Sequence, residues 1–338
     1  MDSSTQIGSG HLMRCLTLAG QLRRECLAEV HFICRDLAGN LSHLIREQGL
    51  ALHLLPRHEA AEGLEGYAAW LMVTQEADAR ETIELLRGLG RSELLVVDHY
   101  ALDACWEREM RPWAKEIFVI DDLANRRHDC DVLLDQNFYL DREGRYTGLV
   151  PEHCRMLLGP AHALLREEFY EAKSHCRERR GELKNLFIFY GSSDLTDETS
   201  KAIQAVLQAG LPGAQVQVVV GGSNPQKKKV EALCRQHKFI HYYEQVDNMA
   251  ELMNAADLMI GAGGTTTWER CFLGLPSVVT AIADNQVQIC EDCHTAGVIE
   301  YLGFYDVVRA QDIAEGIRGM TEDRRKQMSD LCLRMFVG

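Results

Sequence analysis

The chain has 338 residues, about twice an ordinary domain, so two domains are expected, each able to bury its own core. With 46% apolar and 25% charged residues it leaves no room for a long disordered tail. A formal net charge of -14 repels polyanions, which excludes non-specific attraction to nucleic acid or anionic lipid and points to a small-molecule partner.

In chain order, short β-branched or apolar runs at 30–34, 50–55, 94–97 and 117–120 read as strands. Helical stretches at 11–24, 41–48, 76–87 and 104–110 alternate with them, each long enough to join one parallel strand to the next. The rhythm pauses between about 135 and 181, in a stretch with an aromatic loop, Pro151, Pro160 and a charged helix ending at Arg177 to Arg180. A second series follows, with strands at 186–190, 216–220, 239–243, 258–260 and 277–280, and helices at 198–208, 227–237, 249–254, 266–273 and 286–296. The fold class is therefore α/β, two doubly wound domains with a ligand cleft at the carboxyl ends of the strands. The expected limits are 1–165 for the first domain and 182–320 for the second, with a hinge near 165–182 and a terminal helix in 321–338 that crosses back to the first. One irregularity stands at the start: only seven residues, most of them polar, precede the first glycine loop, so the first sheet is expected to be one central strand short.

No apolar run approaches the roughly 20 residues of a membrane-spanning helix. The twelve cysteines are scattered singly behind no recognisable leader, which reads as reduced thiols in a cytoplasmic protein. Cys290 and Cys293, followed by His294, have the spacing of half a metal site, but no second pair completes it, and two helical thiols are the simpler account. No metal and no cofactor are expected.

Gly8 and Gly10 stand at the entry to a helix, where backbone can approach a sugar or phosphate. His11 falls on the first turn, where it is either a general base or merely a loop cap. After the strand at 94–97, Asp98, His99 and Tyr100 place three functional groups where cleft residues belong. Asp121 and Asp122 end the next strand, either forming a turn or orienting Arg14. Ser192 follows the strand at 186–190, offering a hydroxyl to phosphate or simply closing a turn. The run from Gly261 to Glu269 follows a strand and opens a helix. Gly263, Gly264, Thr265 and Thr266 supply donors for a diphosphate there, and Glu269 accepts from ribose hydroxyls or forms a surface ion pair. Asn285 and Gln286 offer amide groups to sugar hydroxyls or an N-acetyl group, although Asn285 serves equally well as a helix cap.

Taken together, IGSGHLMRC, VVDHY, VIDDLANR, LLGPAHALLREEF, GAGGTTTWERCFLGLP and ADNQ resemble one family over nearly the whole chain. It is the UDP-2,4-diacetamido-2,4,6-trideoxy-β-L-altropyranose hydrolase family of pseudaminic acid biosynthesis, the pathway that feeds flagellin glycosylation and bacterial surface polysaccharide. That family is similar to the GT-B glycosyltransferases, especially the N-acetylglucosaminyl transferase of peptidoglycan synthesis. The resemblance implies two Rossmann-like domains and metal-independent, inverting hydrolysis of a UDP-sugar. His11 is then the base that activates water, Asn285 holds substrate, Tyr100 matches a cleft tyrosine, and the GGTTTWE loop carries UDP. Gly10, Arg14, Asp98, Ser192 and Gln286 complete the expected substrate-binding set of a monomeric enzyme. The chain departs from the family in the strand that precedes the histidine loop. Two further readings stay open, a GT-B glycosyltransferase with an amino-sugar donor and a non-catalytic nucleotide-sugar binder of polysaccharide assembly.

Overall fold

A computed structural model of the protein describes residues 1–336; residues 337 and 338, the end of the expected 321–338 segment, lie outside the described residues. Two compact units emerge, Met1–Asn137 with Asp141–Leu164, and Phe138–Leu140 with Leu165 onward.

The first unit runs α1 (Gly10–Cys26), β1 (His31–Arg35), α2 (His43–Glu47), β2 (Ala51–Leu55), α3 (Gln75–Leu89), β3 (Ser92–Val97), α4 (Ala104–Met110), β4 (Ala114–Ile120), β5 (Val132–Asp135) and β6 (Arg155–Leu158). Thr74 and Asp103 cap α3 and α4 by accepting the N–H of Ala77 and Cys105. The strands pair in parallel but form two separate ladders, β1 with β2 and β3 through β6 in order. Residues 1–3 reach both. The Met1 ammonium donates to Ile33 O at 3.3 Å, Asp2 Oδ1 accepts Arg35 N–H at 2.7 Å, and His99 Nε2 lies 3.4 Å from Asp2 Oδ2. Apolar cores cover both faces of the strands. One gathers Leu12, Leu16, Phe32 and Ile45 with Ile120 and Leu134; the other gathers Leu86, Trp106 and Met110 with Val97, Ile117 and Leu133.

β6 lies inside the stretch where the sequence rhythm pauses. Its four residues sit among polar loops, too short for any period to register. The segment expected as a hinge is also folded: α5 (Glu167–Ser174) ends before the arginines, and Arg177 and Arg179 turn onto the second unit. Both donate to the terminal carbonyls of α8 (Met249–Ala255), Arg177 to Asn254 O and Ala255 O, Arg179 to Asn254 O at 2.5 Å. Their charge is thereby placed where a helix end leaves carbonyls unpaired.

The rest of the second unit is β7 (Asn185–Phe189), α6 (Glu198–Ala209), β8 (Gln215–Val220), α7 (Lys227–Cys234), β9 (Ile240–Glu244), β10 (Leu258–Ala262), α9 (Thr266–Phe272), β11 (Ser277–Ala281), α10 (Asp284–Thr295), β12 (Glu300–Phe304), α11 (Ala310–Gly319) and α12 (Glu322–Arg334). The terminal helix α12, expected to cross back to the first domain, packs on α9 of the second unit. Six parallel strands lie in the order β12-β11-β10-β7-β8-β9, the Rossmann order. β10 and β11 are buried along their whole length, as central strands covered on both faces must be. The order reverses between β7 and β10, whose carboxyl ends leave the sheet side by side with Phe189 paired to Gly261. That reversal is where an open α/β sheet forms its ligand crevice.

Candidate functional site

In the first unit, Gly8 adopts φ 80° in a short turn closed by its N–H on Ser4 O, and α1 begins two residues later. His11 and Arg14 are one turn apart on that helix and face the carboxyl ends of β3 and β4. His11 Nδ1 lies 2.6 Å from Asp98 Oδ1, and Arg14 binds both Asp98 oxygens, through Nη2 at 2.6 Å and Nε at 2.7 Å. Arg14 Nη1 then reaches Asp122 at 2.7 Å, and Asp122 also accepts Tyr100 O–H at 2.6 Å and the Asn137 amide at 2.8 Å.

Burial alone raises the Asp98 carboxyl, but the Arg14 and His11 charges beside it outweigh that and hold it well below the usual carboxylate range. Burial, followed by the Asp122 charge, pushes the Tyr100 phenol up. Asp135, at the end of β5, is pushed up to about 7 by burial and by Asp122. It accepts from the Asn137 amide and from Tyr146 O–H.

The two sequence readings of the acidic pair are both realised, one by each residue. Asp122 orients Arg14; Asp121 accepts Ala124 N–H at a left-handed turn (φ 48°) and pairs with Arg126 at 2.6 Å. Asp98, expected to touch substrate, is 1% exposed and spends its oxygens on His11 and Arg14. Arg14 and Tyr100 are likewise turned inward.

One ring nitrogen of His11 stays available. Nε2 has no protein hydrogen bond among the described residues and, unlike His99 Nε2 and His128 Nε2, is not sealed from solvent. Beside the imidazole stand Tyr100, its ring centroid 4.5 Å from that of His11, and Trp70 at 6.2 Å, both edge-on. Sequence reasoning missed Trp70, Asn137 and the Tyr67 ring that packs on Trp70. An aromatic pair three residues apart in the loop after a strand was the available signal.

In the second unit, β10 opens into the 263–265 loop and α9. A Cβ on Gly261 would stand 2.4 Å from Phe189 O, and one on Gly263 2.2 Å from Cys290 Sγ, so neither position has room for a side chain. Arg270, fully buried, holds the loop by donating to Ala262 O at 2.9 Å and to the Thr267 hydroxyl at 2.8 Å; its role was not read from the sequence. Thr265 is exposed, and Gly264 and Thr266 are half-buried. Glu269, one turn into α9, is pushed up by burial and pairs with Arg166 at 3.0 Å.

Beside this loop, Ser192 follows β7 against Gly221, whose missing side chain lets the Ser192 backbone pass. Gln286 turns its Oε1 back to Ile282 N–H at 3.0 Å and so fixes the 282–286 turn. Asn285 is not a cap: Ala283 holds that position, and the Asn285 side chain is exposed on the first turn of α10. Cys290 and Cys293 are both buried on α10. Among the described residues no helix is long and apolar enough to cross a membrane.

Residues 185–328 match the glycosyltransferase family 28 C-terminal domain. UDP-2,4-diacetamido-2,4,6-trideoxy-β-L-altropyranose hydrolase from Campylobacter jejuni is 30% identical over 274 residues, which cover 80% of this chain and 86% of that protein. This chain belongs to that hydrolase's family. Another relative of this altropyranose hydrolase family member is the spore coat polysaccharide biosynthesis protein SpsG of Bacillus subtilis, 27% identical over 310 residues, 91% of this chain and 83% of that one. Among solved structures, MurG of Acinetobacter baumannii aligns with a TM-score of 0.63 at 13% identity, covering 96% of this chain and 92% of that chain. At that identity the likeness is one of fold, and the fold is GT-B, two Rossmann-like domains.

Proposed function

We infer that the protein hydrolyses a UDP-linked 2,4-diacetamido-2,4,6-trideoxyhexose to UDP and the free sugar, as a cytoplasmic monomer in pseudaminic acid biosynthesis. Family membership supports an enzyme of UDP-sugar metabolism. The observation that supports hydrolysis is the His11–Asp98 pair at 2.6 Å, with His11 Nε2 making no hydrogen bond among the described residues.

A carboxylate on Nδ1 fixes the tautomer with its proton there, so Nε2 carries the lone pair. In this reading a water molecule gives its proton to Nε2 while its oxygen forms a bond to the anomeric carbon. The bond from that carbon to the UDP oxygen breaks, and UDP leaves with the electron pair. Attack from the face opposite UDP inverts the anomeric configuration. Asp98 stabilises the imidazolium as it forms, and Arg14 and Asp122 keep Asp98 in place.

UDP is a good leaving group that needs charge stabilisation more than an acid. Backbone N–H groups and hydroxyls of Gly263, Gly264, Thr265 and Thr266 are assigned that task, with Ser192 beside them. Glu269 takes the ribose hydroxyls and Asn285 the sugar. Arg14, Asp98 and Tyr100, first expected to touch substrate, become positioning groups because their polar atoms already pair inside the protein. Gly10, exposed at the helix start, and Gln286, bound to its own turn, act by shaping the backbone near the ligand.

The test is incubation with the UDP-sugar alone, followed by NMR. UDP and the free sugar should appear together, with the inverted anomer first. No release above the buffer rate overturns the hydrolase reading, and release that needs an added sugar acceptor turns it into a transferase.

A further inference from the structure

The segment between β2 and α3 contributes a feature that the hydrolytic reading does not by itself require. Residues Gly66–Leu71 form a short 3-10 turn that closes on Met72 in a left-handed conformation (φ 64°). Leu71 and Val73, on either side of Met72, are buried in the core of the first unit and anchor the turn. Trp70, just before this anchor, stacks on Tyr100 at 5.7 Å and meets His11 edge-on at 6.2 Å. Tyr67, one turn earlier, packs edge-on against both Trp70 and Tyr100 at 4.8 and 5.0 Å. His11 therefore has two aromatic rings edge-on against it, Trp70 and Tyr100, and Tyr67 packs against both of them. Only 8% of its side chain remains open to solvent. Each ring beside the imidazole takes up space that the carbon frame of an alcohol would need and a water molecule would not.

We propose that Trp70 and Tyr67 are specificity-determining residues that make water the acceptor by excluding alcohols from His11. The proposal rests on the hydrolase reading above and answers what that reading leaves open, namely why the base activates water and not a sugar hydroxyl. With an alcohol the step has the same balance. The alcohol oxygen would bond to the anomeric carbon, its proton would pass to His11, UDP would depart with the electron pair, and the product would be an alkyl glycoside. Because the anchor residues Leu71 and Val73 are part of the core, the wall is a fixed filter and not a lid that must first close.

The experiment is product partition. Full-length protein is incubated with a UDP-2,4-diacetamido-2,4,6-trideoxyhexose in buffer containing methanol, ethanol or n-propanol, and the ratio of alkyl glycoside to free sugar is read by NMR and mass spectrometry. The wild type should give free sugar with little propyl glycoside. Trp70→Ala should raise the propyl glycoside ratio by about tenfold or more, and the methanol ratio by less, since a steric filter discriminates most against the largest acceptor. Trp70→Phe, which keeps a ring, should stay near the wild-type ratio. Tyr67→Ala provides a second opening of the wall should Trp70→Ala fold poorly. Wild-type ratios in both alanine variants overturn the proposal, as does ready propyl transfer by the wild type. A wild-type protein that releases no UDP instead sinks the hydrolase reading itself, so the two failures are told apart.

Discussion

The two units solve different problems with different residues. In the first, the proposed reaction needs a base to be aimed, and the structure offers a buried network: His11 on Asp98, Asp98 on Arg14, Arg14 on Asp122, and Asp122 on Tyr100 and Asn137. In the second, the proposed nucleotide has to approach the backbone, and the structure offers the absence of side chains at Gly261 and Gly263, with one buried arginine behind the loop. Orienting a base demands charge held in low dielectric with every partner satisfied, whereas cradling an anion demands small residues and unspent N–H groups. Changes in the first unit should therefore act on turnover, and changes in the second on nucleotide affinity.

The largest expected effects break this division most directly. His11→Ala should lower kcat by about 10² to 10⁴-fold with UDP affinity unchanged, measured by steady-state kinetics and calorimetric titration with UDP. Asp98→Asn should follow the same pattern, because it removes the charge that fixes the His11 tautomer; a loss of UDP affinity in either variant would erase the distinction between the units. Gly263→Ala should cost about 1–3 kcal/mol of stability and weaken UDP binding, because its Cβ collides with Cys290 Sγ. Thermal unfolding of Gly263→Ala with Cys290→Ala should recover most of that loss, and a double variant no better than the single would show that the collision is not the cause.

A smaller effect sharpens the account of the buried network. Asp135 is held near 7, above its unfolded value of 3.8, so the fold favours its protonated form. That stability is fully present below pH 4 and is lost as the pH rises through about 7. Asp135→Asn keeps a neutral amide in the carboxyl's place, so the wild type should lose about 1–3 kcal/mol relative to the variant between pH 4 and 7. Parallel pH profiles of thermal stability for the two proteins would remove Asp135 from the proton-holding role.

Much of the fold was legible because parallel strands buried on both faces leave apolar runs, and amphipathic helices leave a period of 3.6. The second series shows it well: β8 at Gln215–Val220 and β10 at Leu258–Ala262 fall within two residues of the runs that announce them. β6 and α5 show the limit, one too short to carry a period and the other inseparable in sequence from the charged stretch that follows it.

The site divided in the same way. Sequence alone determined which small and polar residues end the strands, because Gly263 beside Thr265, or His11 after Gly10, are choices that backbone geometry and chemistry impose locally. Only the tertiary structure decided what Asp98, Arg14 and Tyr100 do, since their roles depend on partners up to 108 residues away. The same holds for Trp70, whose place over His11 is set by the burial of Leu71 and Val73 in a core drawn from distant elements. A residue's chemistry is written in the chain, but whether it faces substrate or supports another side chain is settled by the long-range packing that buries it.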